Sequence, residues 1–258
     1  MLWLRLQGSF AMTRIFYLLY AAVAYAIFLA VFLYLIAFTG NLPGAPLTVD
    51  RGPESSPVLA LPVNLALIAL FGFQHSVMAR PAFKAVWTRH VPPPIERSTY
   101  VMMTNLVLVI LFLGWHPITA PVWTVANPVG AAALWALFGL GWAIVLVSTF
   151  LINHFELFGL QQAWFAWRAR TGAKPALHQP FFYKLVRHPL YAGFFLAFWA
   201  TPAMSAGHLM LAVGLSAYML VAIRLEERNL VDTFGADYAA YRETTPMLVP
   251  GTGGRRRA

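Results

Sequence analysis

Long apolar stretches, nearly free of Asp, Glu, Lys and Arg, limit what this chain can fold into. They run over about Ile15–Phe38, Val58–Met78, Tyr100–Trp115 and Val129–Ile152, and then over the adjoining pair Leu190–Ser205 and His208–Leu225. At about 1.5 Å of rise per residue, even the shorter runs make helices of roughly 24 Å, close to a bilayer's hydrocarbon thickness. Hydrophobic residues make up 60% of the chain and charged residues 10%. A soluble domain of this size carries about 25% charge. The expected fold is therefore all-α: a polytopic integral membrane helical bundle of about six hydrophobic spans, five to six of them crossing, with no separate soluble domain. The last two runs form a helical hairpin that turns near Gly207. The first twelve residues lack a signal-peptide cleavage site and are expected to be retained.

The net charge of +9 points to topology rather than to nucleic acid, because the cations lie between apolar runs. Arg80, Lys84, Arg89 and Arg97 follow the second run, and Arg168, Arg170, Lys174, Lys184 and Arg187 follow the fourth. The alternate loops hold few or no cations. Both termini and the two basic loops are thus expected in the cytoplasm of a bacterial inner membrane. The organisation expected is a four-span, substrate-side bundle over 1–152 and a cytoplasmic loop over 153–188, then the hairpin over 189–231 and an amphipathic tail over 232–258. Lys84, Arg89, Arg168, Arg170 and Lys174 read as topology anchors, and Arg255–Arg257 as a solvated or headgroup-facing run. His90, His116, His178 and His208 read as interfacial residues without chemistry. With no cysteine in the chain, disulfides, a thiolate nucleophile and Cys-ligated metals are excluded.

Ionisable residues at span ends mark functional positions, because lipid makes them costly. Gln74-His75-Ser76 close the second run, Glu96-Arg97 and Tyr100 open the third, and Asn153-His154-Phe155-Glu156 leave the fourth, with Gln161 beyond. The hairpin brings Arg187-His188-Pro189 and Glu226-Glu227 to similar depth. Arg224 and Arg228 are too close in sequence to share a helix face with those acids. At least one carboxylate must therefore find a partner elsewhere, and Arg187 or His188 is the obvious one.

The combination RHPLYAG, an apolar hairpin, EERNL and FGADYAAYRETTPMLVP, over about Phe181–Pro250, resembles the C-terminal signature of the isoprenylcysteine carboxyl methyltransferase family. FGFQHSVMARPAFK, ERSTYVMMTNL and NHFELFGLQQ add a narrower resemblance to the bacterial methanethiol S-methyltransferases, which make dimethyl sulfide. The resemblance implies an enzyme that uses S-adenosylmethionine from the cytosolic side and leaves S-adenosylhomocysteine. It implies that Arg187, His188, Tyr191 and Gly193 shape the cofactor pocket, with Pro189 starting a helix whose free amides receive a carboxylate. Glu226 and Glu227 would bind the amino group or ribose hydroxyls, and Leu230 would pack on adenine. Phe181, Tyr183 and Tyr238 are candidates for adenine stacking, and Gln161 for a further hydrogen bond.

The implied reaction is attack of a thiol sulfur on a sulfonium methyl. Alkyl thiols are weak acids, so the site needs a base or a cation that favours the thiolate. His75 and His154 are the candidate bases and Arg97 the candidate cation. Gln74, Glu96, Tyr100, Asn153 and Glu156 are the candidate substrate-side residues, and the two carboxylates are expected to be paired. The expected partners are a small thiol and membrane lipid, with no nucleic acid, no obligatory protein partner and no metal. Two substrate alternatives stay open: a prenyl or lipid carboxylate, and a larger thiol. From other classes, a haem- or quinol-binding redox subunit would use His75 and His154 at matching depth. A transporter would place its polar groups near the midplane, whereas here they crowd one rim.

Overall fold

The computed structural model describes residues 2–170 and 177–252, with side chains from Met12 onward. The expected anchors Lys174 and Arg255–Arg257 lie outside the described residues. The elements are α1 (Leu2–Thr39), α2 (Pro57–Met78), α3 (Pro81–Trp87), α4 (Pro93–Gly114), β1 (Pro121–Thr124), α5 (Pro128–Ile152), α6 (His154–Leu157) and α7 (Leu160–Trp167). A single 3-10 turn (Phe181–Lys184) then leads into α8 (Pro189–Trp199), β2 (Ala203–Ser205), α9 (Ala206–Phe234) and α10 (Ala236–Thr244). Five of these, α1 from Met12 and then α2, α4, α5 and α9, are long and apolar enough to cross a membrane. Many large apolar side chains on them are exposed, among them Phe16, Leu19, Val58, Leu113 and Val129, as on lipid-facing helices, whereas the exposed Arg14, Arg224 and Arg228 lie toward helix ends.

The hairpin departs from the sequence expectation in its first arm. The apolar run Leu190–Ser205 is helical only to Trp199, so α8 has 11 residues and covers roughly 16 Å, too short to cross. Pro202 explains the stop, because it has no amide and disfavours helical backbone at the residue before it. The reversal falls in 200–205 rather than at Gly207. There β2 pairs antiparallel with β1, with Pro121 opposite Ser205 and Thr124 opposite Ala203. The Ser205 hydroxyl then caps α9 by accepting from the His208 amide.

The chain divides into two compact units. The first holds α1 up to Leu35, Ala69–Leu113, and α6 with α7. Its interior includes Ala21, Ala24, Tyr100 and Val101, and the Phe28 and Phe158 rings stack at 3.8 Å. Gly159 enters α7 with φ +89, and a Cβ there would meet Ser98 Oγ at 2.4 Å, so only glycine fits.

The second unit holds Ile36–Ile68, Gly114–Ile152 and the described residues from Leu177 on. Buried Asn64 bonds the His116 backbone twice, donating to the carbonyl at 2.7 Å and accepting from the amide at 2.9 Å. Helices α5 and α8 meet on two glycines. A Cβ on Gly141 would lie 2.6 Å from the Ala197 nitrogen, and one on Gly193 would lie 2.7 Å from the Gly141 carbonyl oxygen. Backbone cannot yield as a side-chain tip can, so even a methyl group must part the helices. Gly139, on the same helix, has no atom of another element within 4 Å of its Cβ position among the described residues. We expect Gly141→Ala to lower the melting temperature in detergent, at a cost of roughly 1–3 kcal/mol. Gly139→Ala should leave it unchanged or raise it slightly. Equal melting temperatures for the two variants would refute this account of the contact.

Candidate functional site

In the second unit, α8 starts where the chain is held by the C-terminal tail. The Arg187 amide donates to the Pro246 carbonyl at 2.8 Å and the His188 amide to the Met247 carbonyl at 3.1 Å. Pro189 occupies the first helical position, with His188 as its cap residue. This fixes the side chains of Arg187 and His188 toward α9. Arg187 Nε donates to Glu227 Oε1 at 2.7 Å, and His188 Nε2 donates to the same oxygen at 3.0 Å. One turn into α8, the Tyr191 hydroxyl donates to Glu226 Oε2 at 3.0 Å. Both carboxylates therefore find their partners across the hairpin, and neither pairs with Arg224 or Arg228.

Arg187 does more than neutralise Glu227. Its Nη1 donates to the Arg242 carbonyl at 3.0 Å and also to the Thr245 carbonyl, so one planar fork joins α9 to the end of α10. The Tyr241 hydroxyl closes the same corner on the Tyr183 carbonyl. Burial pushes the phenols of Tyr183 and Tyr238 well above the ordinary range, with Glu226 adding at Tyr183 and Glu227 at Tyr238. Tyr241 is pushed up to about 12 by burial, with Arg187 opposing. All three remain protonated donors. The hydroxyl of Tyr238, a residue 2% exposed, has no hydrogen-bond partner among the described residues. Leu230 is half-buried and lies one turn beyond Glu226 and Glu227 on α9. Gly193 is buried against α5, and Phe181 is exposed.

The remaining candidates fall in the first unit. His154 is 4% exposed, and its Nε2 lies 2.8 Å from the Tyr25 hydroxyl. Burial alone lowers its pKa from the usual histidine value, so it is held neutral. The rings of Tyr25, Phe155 and Phe158 stand edge-on or tilted around it. His75 Nδ1 lies 3.2 Å from Thr104 Oγ1, and its ring contacts Phe71 and Tyr100. Tyr100 donates to the His75 carbonyl at 3.3 Å. The Arg97 guanidinium sits 5.0 Å above the Tyr100 ring while its Nε donates to the Leu157 carbonyl at 2.7 Å. Gln74 Nε2 donates to Met78 Sδ, whereas its buried Oε1 has no partner among the described residues.

The two acids of this unit are both engaged. Glu96 faces Lys84 at 3.9 Å, and Glu156 Oε2 accepts from Asn153 at 2.9 Å. Burial lowers the pKa of Lys84, and the charge of Glu96 opposes that shift. Asn153 also donates to Gln161 Oε1 at 2.7 Å, so Gln161 belongs with the first unit's polar residues. A cavity of about 340 Å³ opens beside this pair, lined by Leu18, Asn153, Phe155, Leu160, Gln161, Trp164 and Phe165.

Sequence reasoning missed Tyr25, Thr104 and Tyr241. Tyr25 and Thr104 sit inside apolar runs, where a single hydroxyl gives no periodic signal. Tyr241 belongs to the YAAYR segment, which carried the family resemblance but not this contact.

No protein-family model matches the chain, and no solved structure matches it. Curated proteins do. A methanethiol S-methyltransferase of Mycobacterium tuberculosis is 48% identical over 239 residues, covering 93% of this chain and 98% of that protein. One from a Pseudomonas species is 51% identical over 233 residues, 90% of this chain and 89% of its own length. More distantly, Nurim of Xenopus laevis is 28% identical over 203 residues, 74% of this chain and 70% of its own length.

The Arg187 clasp has a direct test. Arg187→Lys keeps a charge for Glu227 but cannot span two carbonyls as well, so α10 should loosen. Trypsin should then cut after Arg242 at least several-fold faster than in the wild type. Identical cleavage rates would mean that the tail is held by other contacts.

Proposed function

The chain belongs to the methanethiol S-methyltransferase family. On that premise we propose that it transfers a methyl group from S-adenosylmethionine to the sulfur of methanethiol, giving dimethyl sulfide, at the cytoplasmic side of a bacterial inner membrane. The observation that carries this reading is the convergence of Arg187, His188 and Tyr191 on Glu226 and Glu227, with a buried Tyr238 hydroxyl that is unpaired among the described residues beside them. An unpaired buried hydroxyl costs about 1–3 kcal/mol. A ligand rich in hydrogen-bonding groups relieves that cost, so the residues fit an adenosyl and methionyl group.

Glu226 and Glu227 would take its ammonium and ribose hydroxyls, and the first amides of α8 its carboxylate. Leu230, Tyr183 and Tyr238 would hold adenine. Arg187 and His188 position Glu227, whose oxygen they both bond. Gly193 keeps α8 on α5, so that Tyr191 reaches Glu226. We place Gln161 with Asn153 on the substrate side. The bound sulfonium supplies an electrophilic methyl group.

In the first unit, His154 is the base, held neutral by burial and so able to take a proton. Arg97 supplies the positive charge that favours a thiolate, with Tyr100 holding it through the ring face. His75 braces Tyr100. Gln74, whose Oε1 has no partner among the described residues, stays on the substrate side. Glu96 and Glu156 are occupied by Lys84 and Asn153, which keeps free negative charge away from a forming thiolate.

Headspace gas chromatography on a host expressing the protein and fed methanethiol tests this. The wild type should release dimethyl sulfide, and Glu227→Gln at least tenfold less, as expected for loss of charged hydrogen bonds worth about 1.5–3 kcal/mol. Cofactor binding without sulfide formation would overturn the substrate. Absence of both would overturn the methyltransferase reading.

A further inference from the structure

The hydroxyl of Tyr25 lies 2.8 Å from Nε2 of His154, and it makes no other hydrogen bond among the described residues. Besides the imidazole, the rings of Phe28 and Phe158 stand around it, with centroids at 5.9 and 6.1 Å. A half-buried hydroxyl in such a place directs its hydrogen to the one acceptor within reach. Nε2 is then the acceptor, and neutral His154 carries its own proton on Nδ1.

That assignment changes how His154 can act. Its basic nitrogen is already covered by a hydrogen bond, so a thiol cannot reach it directly. The Tyr25 oxygen, in contrast, keeps its lone pairs. We propose that Tyr25 is a proton relay. The thiol gives its proton to the Tyr25 oxygen as the Tyr25 hydroxyl proton moves to Nε2 of His154, and the sulfur keeps the bonding pair and becomes the nucleophile. His154 ends as imidazolium and later returns its proton to solvent. This inference rests on the thiol methyltransferase reading and adds a residue to it.

Three further features agree. Leu18 and Tyr25 are two turns apart on one face of α1, roughly 10 Å along its axis. The cavity lined by Leu18 therefore opens on the face that carries Tyr25. Phe155 lines the cavity and meets His154 edge-on, with ring centroids 5.5 Å apart. The charged groups on neighbouring elements are already engaged: Glu156 with Asn153, and Arg97 with the Leu157 carbonyl.

The test compares two thiols that differ in acidity: methanethiol, protonated at neutral pH, and an acidic aryl thiol that is already ionised. Tyr25→Phe removes only the hydroxyl. It should slow methylation of methanethiol more than tenfold, leave the aryl thiol within about twofold, and regain much of the lost rate as pH rises. His154→Gln should follow the same pattern. In protein labelled with 15N-histidine, His154 should show the Nδ1–H tautomer, and Tyr25→Phe should shift its Nε2 resonance. Equal slowing of both thiols, slowing of neither, or an Nε2–H tautomer in the wild type overturns the relay and leaves the thiol reading intact. A wild type that methylates neither thiol overturns that reading, and the relay with it.

Discussion

A carboxylate near the end of an apolar helix has to be paired before anything else about the fold can be settled. Glu227 lies on α9, a 29-residue helix whose N-terminal two-thirds is almost wholly apolar. Removing one partner from a dehydrated pair exposes the full desolvation cost of the other, several kcal/mol at such depth. Arg187 and His188 meet that requirement together on one oxygen. To do so, the chain before α8 must run beside the segment after α10, and the backbone bonds from 187 and 188 to 246 and 247 hold it there. The helix start, the tail and the acid pair thus form one cooperative unit. Losing any of the three frees the other two.

The first unit solves a different problem. Its polar groups are mostly neutral or satisfied by backbone: His154 by a phenol, His75 by a threonine, Arg97 by a carbonyl and a ring face. Such an interior can take a small neutral solute without meeting unpaired charge. It also makes histidine a weak base, because burial penalises the imidazolium. In the proposed relay, such a base with a covered nitrogen acts on a proton delivered through its partner. This ties the apolar character of the unit to the chemistry it can perform.

Much of this was legible in the sequence, and the exceptions have physical reasons. Charge-free runs revealed all five long helices to within a few residues at one end or both. α4 begins earlier than expected, because prolines at 93 and 94 start a helix instead of breaking one. The pairing of Arg187 or His188 with a hairpin carboxylate followed from helix geometry alone, since neighbours in sequence point to different faces. The length of α8 did not follow, because hydropathy reads Leu190–Ser205 as one run and a single Pro202 ends it. Gly193 carried a cofactor role by resemblance, yet its contact is with Gly141, which sits more than 50 positions away and shows no motif. Tyr25 was invisible because aromatic residues are common in membrane helices and most of them only pack.

The same logic extends to selectivity. A cavity of about 340 Å³ is far larger than methanethiol, so volume alone cannot define the substrate. Polarity can. Its walls are four aromatic or aliphatic side chains of α6 and α7, Leu18 of α1 and two amides, and one of those amides is already bonded to Glu156. A thiol carrying an ammonium or carboxylate would leave water for a surface with no counter-charge, at a cost of several kcal/mol. An alkyl thiol gives up little hydration and gains apolar contact. If this cavity is the proposed thiol site, discrimination there works by rejecting charged competitors instead of gripping the small substrate, because few contacts are on offer to a volatile, membrane-soluble molecule.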